Sequence, residues 1–125
     1  MVKAAEKSVK FVLLVEDDLF LASLIKADLE KTGIIVQHAG DYDEAKEILK
    51  VKKPALVLLD VVFPDKGFGL MRFSREKYGS LPFIVISNLQ KESDVKACKD
   101  LGACDYLLKS QISIDHLIDK IKALI

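Results

Sequence analysis

The chain has 125 residues, half of them apolar, and its 19 basic and 19 acidic side chains cancel. One domain of this length can bury roughly two-thirds of its unfolded surface, and so high an apolar content excludes a disordered chain. Zero net charge, with lysines scattered rather than gathered on one face, argues against direct nucleic-acid binding, which needs a basic footprint.

Residues 1–9 read as a loosely held arm, followed by one domain over 10–125. The arm is charged, with no apolar segment of a signal peptide behind it, and no run approaches the ~20 apolar residues of a membrane span. The cytoplasm is therefore the expected location, without membrane contact. FVLLV (11–15) is the first strand candidate and stops at Glu16, Asp17 and Asp18. The helix after it places Phe20, Leu21, Leu24, Ile25 and Leu29 on one stripe expected to face inward, with Gly33 just past its end. GIIVQ (33–37) is the most polar strand and belongs at or near an edge. A second helix opens at Asp41-Tyr-Asp-Glu44, a capping-box spacing, turns Ala45, Ile48 and Leu49 inward, and is over before Pro54.

ALVLL (55–59) runs into Asp60, and a short third helix is predicted around Leu70–Tyr78, stopped by Gly79. FIVI (83–86) runs into Ser87, a fourth helix over 91–101 closes at Gly102, and YLL (106–108) runs into Lys109. The last helix starts at Ser113, with Ile114, Leu117, Ile118, Ile121 and Leu124 at helical spacing. Cys98 and Cys104 lack any metal or redox spacing and are expected to be reduced and mostly buried.

The strand candidates are continuously apolar rather than alternating, as in strands covered on both faces. Five such βα units imply parallel strands with right-handed crossovers, a doubly wound three-layer α/β fold. Strand order 2-1-3-4-5 is one common solution, and all the polar strand ends then share the edge where such sheets bind ligands. Glu16, Asp17 and Asp60 form a carboxylate set suited to Mg²⁺. Without metal their mutual repulsion raises at least one pKa. Asp18 reads better as a helix cap. Asp60 closes an apolar strand and needs a compensating partner, which Lys109 can supply. Ser87 alone reads as a turn former; beside Asp60 and Lys109 its hydroxyl suits a phosphoryl oxygen.

LLVEDD, the Asp60-Val-Val-Phe-Pro64 stretch, Ile86-Ser87 and Asp105-Tyr106-Leu-Leu-Lys109 resemble the signature set of response-regulator receiver domains, in the right order over residues 10–125. The resemblance implies a five-stranded flavodoxin-like (βα)₅ fold and a phosphorylatable signalling switch rather than an enzyme. By position it implies Asp60 as phosphoacceptor, Asp17 as direct Mg²⁺ ligand and Glu16 as its partner acid. The backbone carbonyl of Val62 would complete the metal ligands. It implies Ser87 and Lys109 as the phosphoryl-binding pair and Tyr106 as the switch aromatic. The output would be the face of the fourth helix, fifth strand and fifth helix. A histidine kinase or phosphotransfer protein is the implied phosphodonor. The output domain or target is not encoded in these residues, and the chain is expected to be a monomer or a weak, phosphorylation-dependent dimer. It reads either as a single-domain regulator or as a fragment of a longer protein.

Four positions depart from the family pattern. Ser110 replaces the usual proline after Lys109, and Phe68 stands where a glycine is common, between Gly67 and Gly69. Val62 and Leu89 are apolar where polar side chains often position the hydrolytic water, which implies a long-lived phosphorylated state. A small phosphatase with an aspartyl nucleophile would need a second acid at Val62 and a cap. Flavin binding would need a phosphate-cradling loop after the first strand, and an unphosphorylated interaction module would not need the intact acidic set.

Overall fold

The structure is a computed structural model that describes residues 10–61, 64–88 and 91–125. The 1–9 arm, Val62 and Leu89 lie outside the described residues.

Five strands and five helices alternate: β1 (Phe11–Val15), α1 (Leu19–Lys31), β2 (Ile35–Ala39), α2 (Tyr42–Val51), β3 (Leu56–Asp60), α3 (Pro64–Tyr78), β4 (Phe83–Ser87), α4 (Glu92–Asp100), β5 (Ala103–Leu108) and α5 (Ile114–Leu124). All pairings are parallel and the sheet order is β2-β1-β3-β4-β5. β2 is thus an edge, as its polarity indicated. β1, β3 and β4 are buried along their whole length. Phe11, Leu13 and Val15 of β1 pack with Ala45 and Leu49 of α2, Met71 of α3 and Cys98 of α4. Val12 and Leu14 pack on the other face with Ile25 and Leu29 of α1 and Leu117 and Ile121 of α5. Alternation across a strand with both sides dry is why these sequences are apolar at every position.

The helix starts follow the capping chemistry. Asp18 caps α1, accepting from the Phe20 and Leu21 amides at 3.0 and 3.1 Å. Asp41 accepts from the Glu44 amide at 2.8 Å while Glu44 Oε1 accepts from the Gly40 amide at 3.1 Å, closing the capping box. Ser113 caps α5 through the His116 amide. Gly33 adopts φ +89° past the end of α1, a conformation that costs glycine nothing.

Four expectations need correction. In α1 the buried positions are Ala22, Ile25 and Leu29, whereas Phe20 is 73% exposed and Leu24 also faces out. Residues 22, 25 and 29 already fill the stripe, and 20 and 24 lie on the opposite side of the helix. Leu124 is likewise exposed. Cys104 is exposed rather than buried, because it is the unpaired residue at an irregularity in the β4–β5 register, where Phe83 faces Ala103 and Ile84 faces Asp105. α3 begins at Pro64, six residues before its predicted start. Proline is preorganised for a first turn, and the two glycines that read as loop are carried inside the helix by packing.

That packing explains the displaced glycine. Gly67 is buried, and a Cβ there would lie 3.1 Å from Val61 Cγ2 and 3.7 Å from the Tyr42 hydroxyl. A Cβ on Gly69 would meet nothing within 4 Å. Gly67 is therefore the close-approach residue between α3 and the segment after β3.

Candidate functional site

Four strand ends meet at one rim. β1 releases Glu16 and Asp17, β3 ends on Asp60, β4 ends on Ser87, and Lys109 follows β5. Backbone bonds hold these ends in line: the Glu16 amide donates to the Ala39 carbonyl, the Val61 amide to Ile86, and the Lys109 amide to Ser87, at 2.9–3.0 Å.

Lys109 Nζ lies 3.0 Å from Asp60 Oδ2 and 3.2 Å from Glu16 Oε1. Both carboxylates are almost wholly buried, Glu16 at 1% and Asp60 at 4% exposure. Two buried anions facing one cation leave the group short of positive charge. Burial, aided by the charge of Asp60, pushes the Glu16 carboxyl up to about 7. Burial alone would lower the Lys109 ammonium, but its hydrogen bond and charge contact with Asp60 and then Glu16 outweigh that and raise it. Glu16 Oε2 accepts from the Asp18 amide at 3.0 Å, while Glu16 Oε1 is buried and receives no hydrogen bond among the described residues.

One carboxylate oxygen each from Glu16, Asp17 and Asp60 lie within 4.8 Å of one another. They line a cleft of about 250 Å³ together with Asp41, Tyr42 and Lys66. Three carboxylates converging around a single ammonium fit a hard divalent cation that prefers oxygen ligands.

Ser87 is fully buried, and its hydroxyl donates to the Val61 carbonyl at 2.8 Å. Tyr106 is half-buried against the core, and burial raises its phenol pKa despite an opposing hydrogen bond with Ser87. Ser87 thus touches both the segment after Asp60 and the aromatic ring on β5.

Glu16, Asp17, Asp60, Ser87 and Lys109 gather here at strand ends, and Tyr106, inside β5, reaches Ser87. Asp18 serves as a cap. Two residues were not anticipated. His38 Nε2 bonds to the Glu16 carbonyl at 2.7 Å, and the Tyr42 hydroxyl donates to the Asp60 carbonyl at 3.0 Å. His38 stands out only as a polar interruption of β2, and Tyr42 only as a large ring directly after a cap residue.

Comparisons place this architecture among known proteins. The family model described as response regulator receiver domain matches residues 12–122. The chain is 35% identical over 100 residues to the transcriptional regulatory protein RstA of Escherichia coli (strain K12), covering 79% of this chain and 41% of that relative. It therefore spans about two-fifths of the relative's length. Among solved structures, a CheY-like receiver domain protein from Methanospirillum hungatei JF-1 superposes with a TM-score of 0.85 at 25% identity over 93% of each chain. The receiver domain of the Francisella response regulator 1452 gives 0.81 at 30% identity, covering 92% of this chain and 95% of that one. The chain belongs to the response regulator receiver domain family. Among the described residues no helix is long and apolar enough to cross a membrane.

Proposed function

We propose that Asp60 is the phosphoacceptor of a signalling switch whose donor is a phosphohistidine on a kinase or phosphotransfer protein. The observation that carries this reading is the pairing of buried Asp60 with Lys109 at 3.0 Å, where that one ammonium also faces buried Glu16 at 3.2 Å and a third carboxylate, Asp17, lies within 4.8 Å. An Asp60 carboxylate oxygen attacks phosphorus, the P–N bond breaks, and its electron pair leaves with the imidazole, giving an acyl phosphate. Glu16, Asp17, Asp60 and the Val62 carbonyl would hold Mg²⁺, which when bound neutralises charge on the phosphoryl oxygens. Lys109 sits beside Asp60 to receive one of those oxygens, and the Ser87 hydroxyl, now spent on the Val61 carbonyl, can turn to another.

That turn supplies the switch. The phosphoryl group brings roughly −1.5 to −2 charges and three acceptor oxygens. Drawing Ser87 toward them breaks its bond to Val61 and alters its contact with Tyr106, whose strand borders α4 and α5. The α4–β5–α5 face is thus the proposed output surface. Leu19 and Phe20, both more than 70% exposed at the start of α1 next to Asp17, offer an apolar landing place for the donor protein. Val62 and Leu89 are apolar where receiver domains often carry polar side chains that position the hydrolytic water, so the acyl phosphate should be long-lived. The cytoplasm is the compartment this reading requires, and the output domain or target would come from outside these residues.

The test is incubation with Mg²⁺ and a small-molecule phosphodonor, followed by intact mass of wild type and Asp60→Asn. Addition of one phosphoryl group to wild type alone is expected. Equal labelling of both, or of neither, overturns the assignment, and loss of the label within seconds contradicts the proposed lifetime.

A further inference from the structure

The carbonyl of Asp60 lies at the last residue of β3, still in register with Ile86 of β4 but past the end of the pairing with β1. On its β1 side the last register pair is Val15 with Leu59, so Asp60 is one residue beyond that ladder. On the β4 side the next amide, Val61, is taken by Ile86. The Asp60 carbonyl is instead met by the Tyr42 hydroxyl at 3.0 Å. Tyr42 comes from a fixed base: it is the first residue of α2, directly after a cap whose two reciprocal hydrogen bonds lock the helix start. The far side is closed as well. Val61 is buried, and α3 approaches it so tightly at Gly67 that a single added carbon would press on Val61 and reach the Tyr42 hydroxyl.

We propose that Tyr42 is a positioning residue for the phosphoacceptor, its hydroxyl holding the Asp60 backbone beyond the end of the β1–β3 ladder and so fixing where the carboxylate points. The side chain of Asp60 is drawn one way by Lys109, and Tyr42 supplies the opposing hold on the main chain. Without it the Asp60 carbonyl loses the Tyr42 donor, and on the side facing away from β4 the Asp60 backbone loses a hold, while Val61 stays tied to Ile86 and Ser87. An attacking oxygen must sit in line with the breaking bond, and displacements well under an ångström already cost rate. The inference rests on the phosphoacceptor reading of Asp60.

The test compares wild type with Tyr42→Phe, which keeps the ring. Rates are measured at saturating Mg²⁺ and small-molecule phosphodonor, well below both melting transitions. The maximal rate is expected to fall roughly tenfold, with half-saturation by the donor changed less than twofold and the Asp60 ¹³C carbonyl shift moved. A merely structural tyrosine would lower the melting temperature and leave the rate of the folded protein alone; that result overturns the proposal. So does a slowed variant whose Asp60 carbonyl shift is unchanged. If wild type itself takes no phosphoryl group at Asp60, the functional reading fails, and this inference with it; an unslowed Tyr42→Phe beside a labelled wild type sinks only the inference. Should Tyr42→Phe not fold, Gly67→Ala keeps the hydroxyl while crowding it and Val61. The same slowing is then expected, and a wild-type rate with a moved Asp60 carbonyl shift overturns the proposal.

Discussion

Replacing Asp60 by asparagine keeps its shape and removes one charge from a buried group of like charges. The attraction lost is that of Lys109 at 3.0 Å, about 5.5 kcal/mol at an effective dielectric of about 20. The repulsion relieved comes from Glu16 and Asp17, whose oxygens lie within 4.8 Å of that of Asp60. At the same dielectric that is about 3.5 kcal/mol for buried Glu16 and a fraction of that for exposed, screened Asp17. Removing a buried charge also relieves several kcal/mol of desolvation. Lys109 is not orphaned, because Glu16 remains 3.2 Å away. The balance falls near zero, on the stabilising side: without metal, Asp60→Asn should melt at the wild-type temperature or up to ~6 °C higher. The assay is thermal unfolding at pH 7.5 with chelator, then with Mg²⁺. Only wild type should gain substantially from the ion, since its full carboxylate set exists only when folded. A loss of more than ~2 kcal/mol in the metal-free variant would refute the charge-frustration argument and make Asp60 a structural anchor.

Other expectations follow from the same geometry. Lys109→Met strips the ammonium shared by Glu16 and Asp60 from two buried acids, so stability at pH 8 should drop by about 3–5 kcal/mol, and by less at pH 5. The Glu16 carboxyl is raised from 4.5 to about 7 when folded, mainly by burial. Between those pH values the folded chain holds a proton that the unfolded chain has released, so stability is full below pH 4.5 and falls as pH rises to 7, by at most about 3 kcal/mol. Chemical denaturation across pH 4.5–8 should show this slope in wild type and lose most of it in Glu16→Gln. Gly67→Ala should destabilise through its 3.1 Å clash with Val61, whereas Gly69→Ala, open on all sides, should be neutral or stabilise by up to ~1 kcal/mol. Phe20→Ser should leave stability within ~0.5 kcal/mol, leave small-molecule phosphorylation unchanged, and slow transfer from a phosphohistidine protein.

Local sequence was enough to decide the elements and the chemistry of the rim. Short continuous apolar runs bounded by turn signals read as strands covered on both faces, and the polar residues that end them fall at one edge once the strands are parallel, so Glu16, Asp17, Asp60 and Lys109 were legible from position, and Ser87 only beside Asp60 and Lys109. Cap residues Asp18, Asp41 and Ser113 were equally readable, because capping is settled within four residues of chain. What needed tertiary structure was anything fixed by a neighbour far along the chain. Phe20 and Leu24 are apolar yet exposed because Ala22, Ile25 and Leu29 already occupy the sheet face. α3 runs through two glycines because packing against Val61 outweighs their poor helix propensity. The hold of Tyr42 on Asp60 spans 18 residues and depends on where β1 happens to stop, a fact of register that no local pattern of side chains encodes.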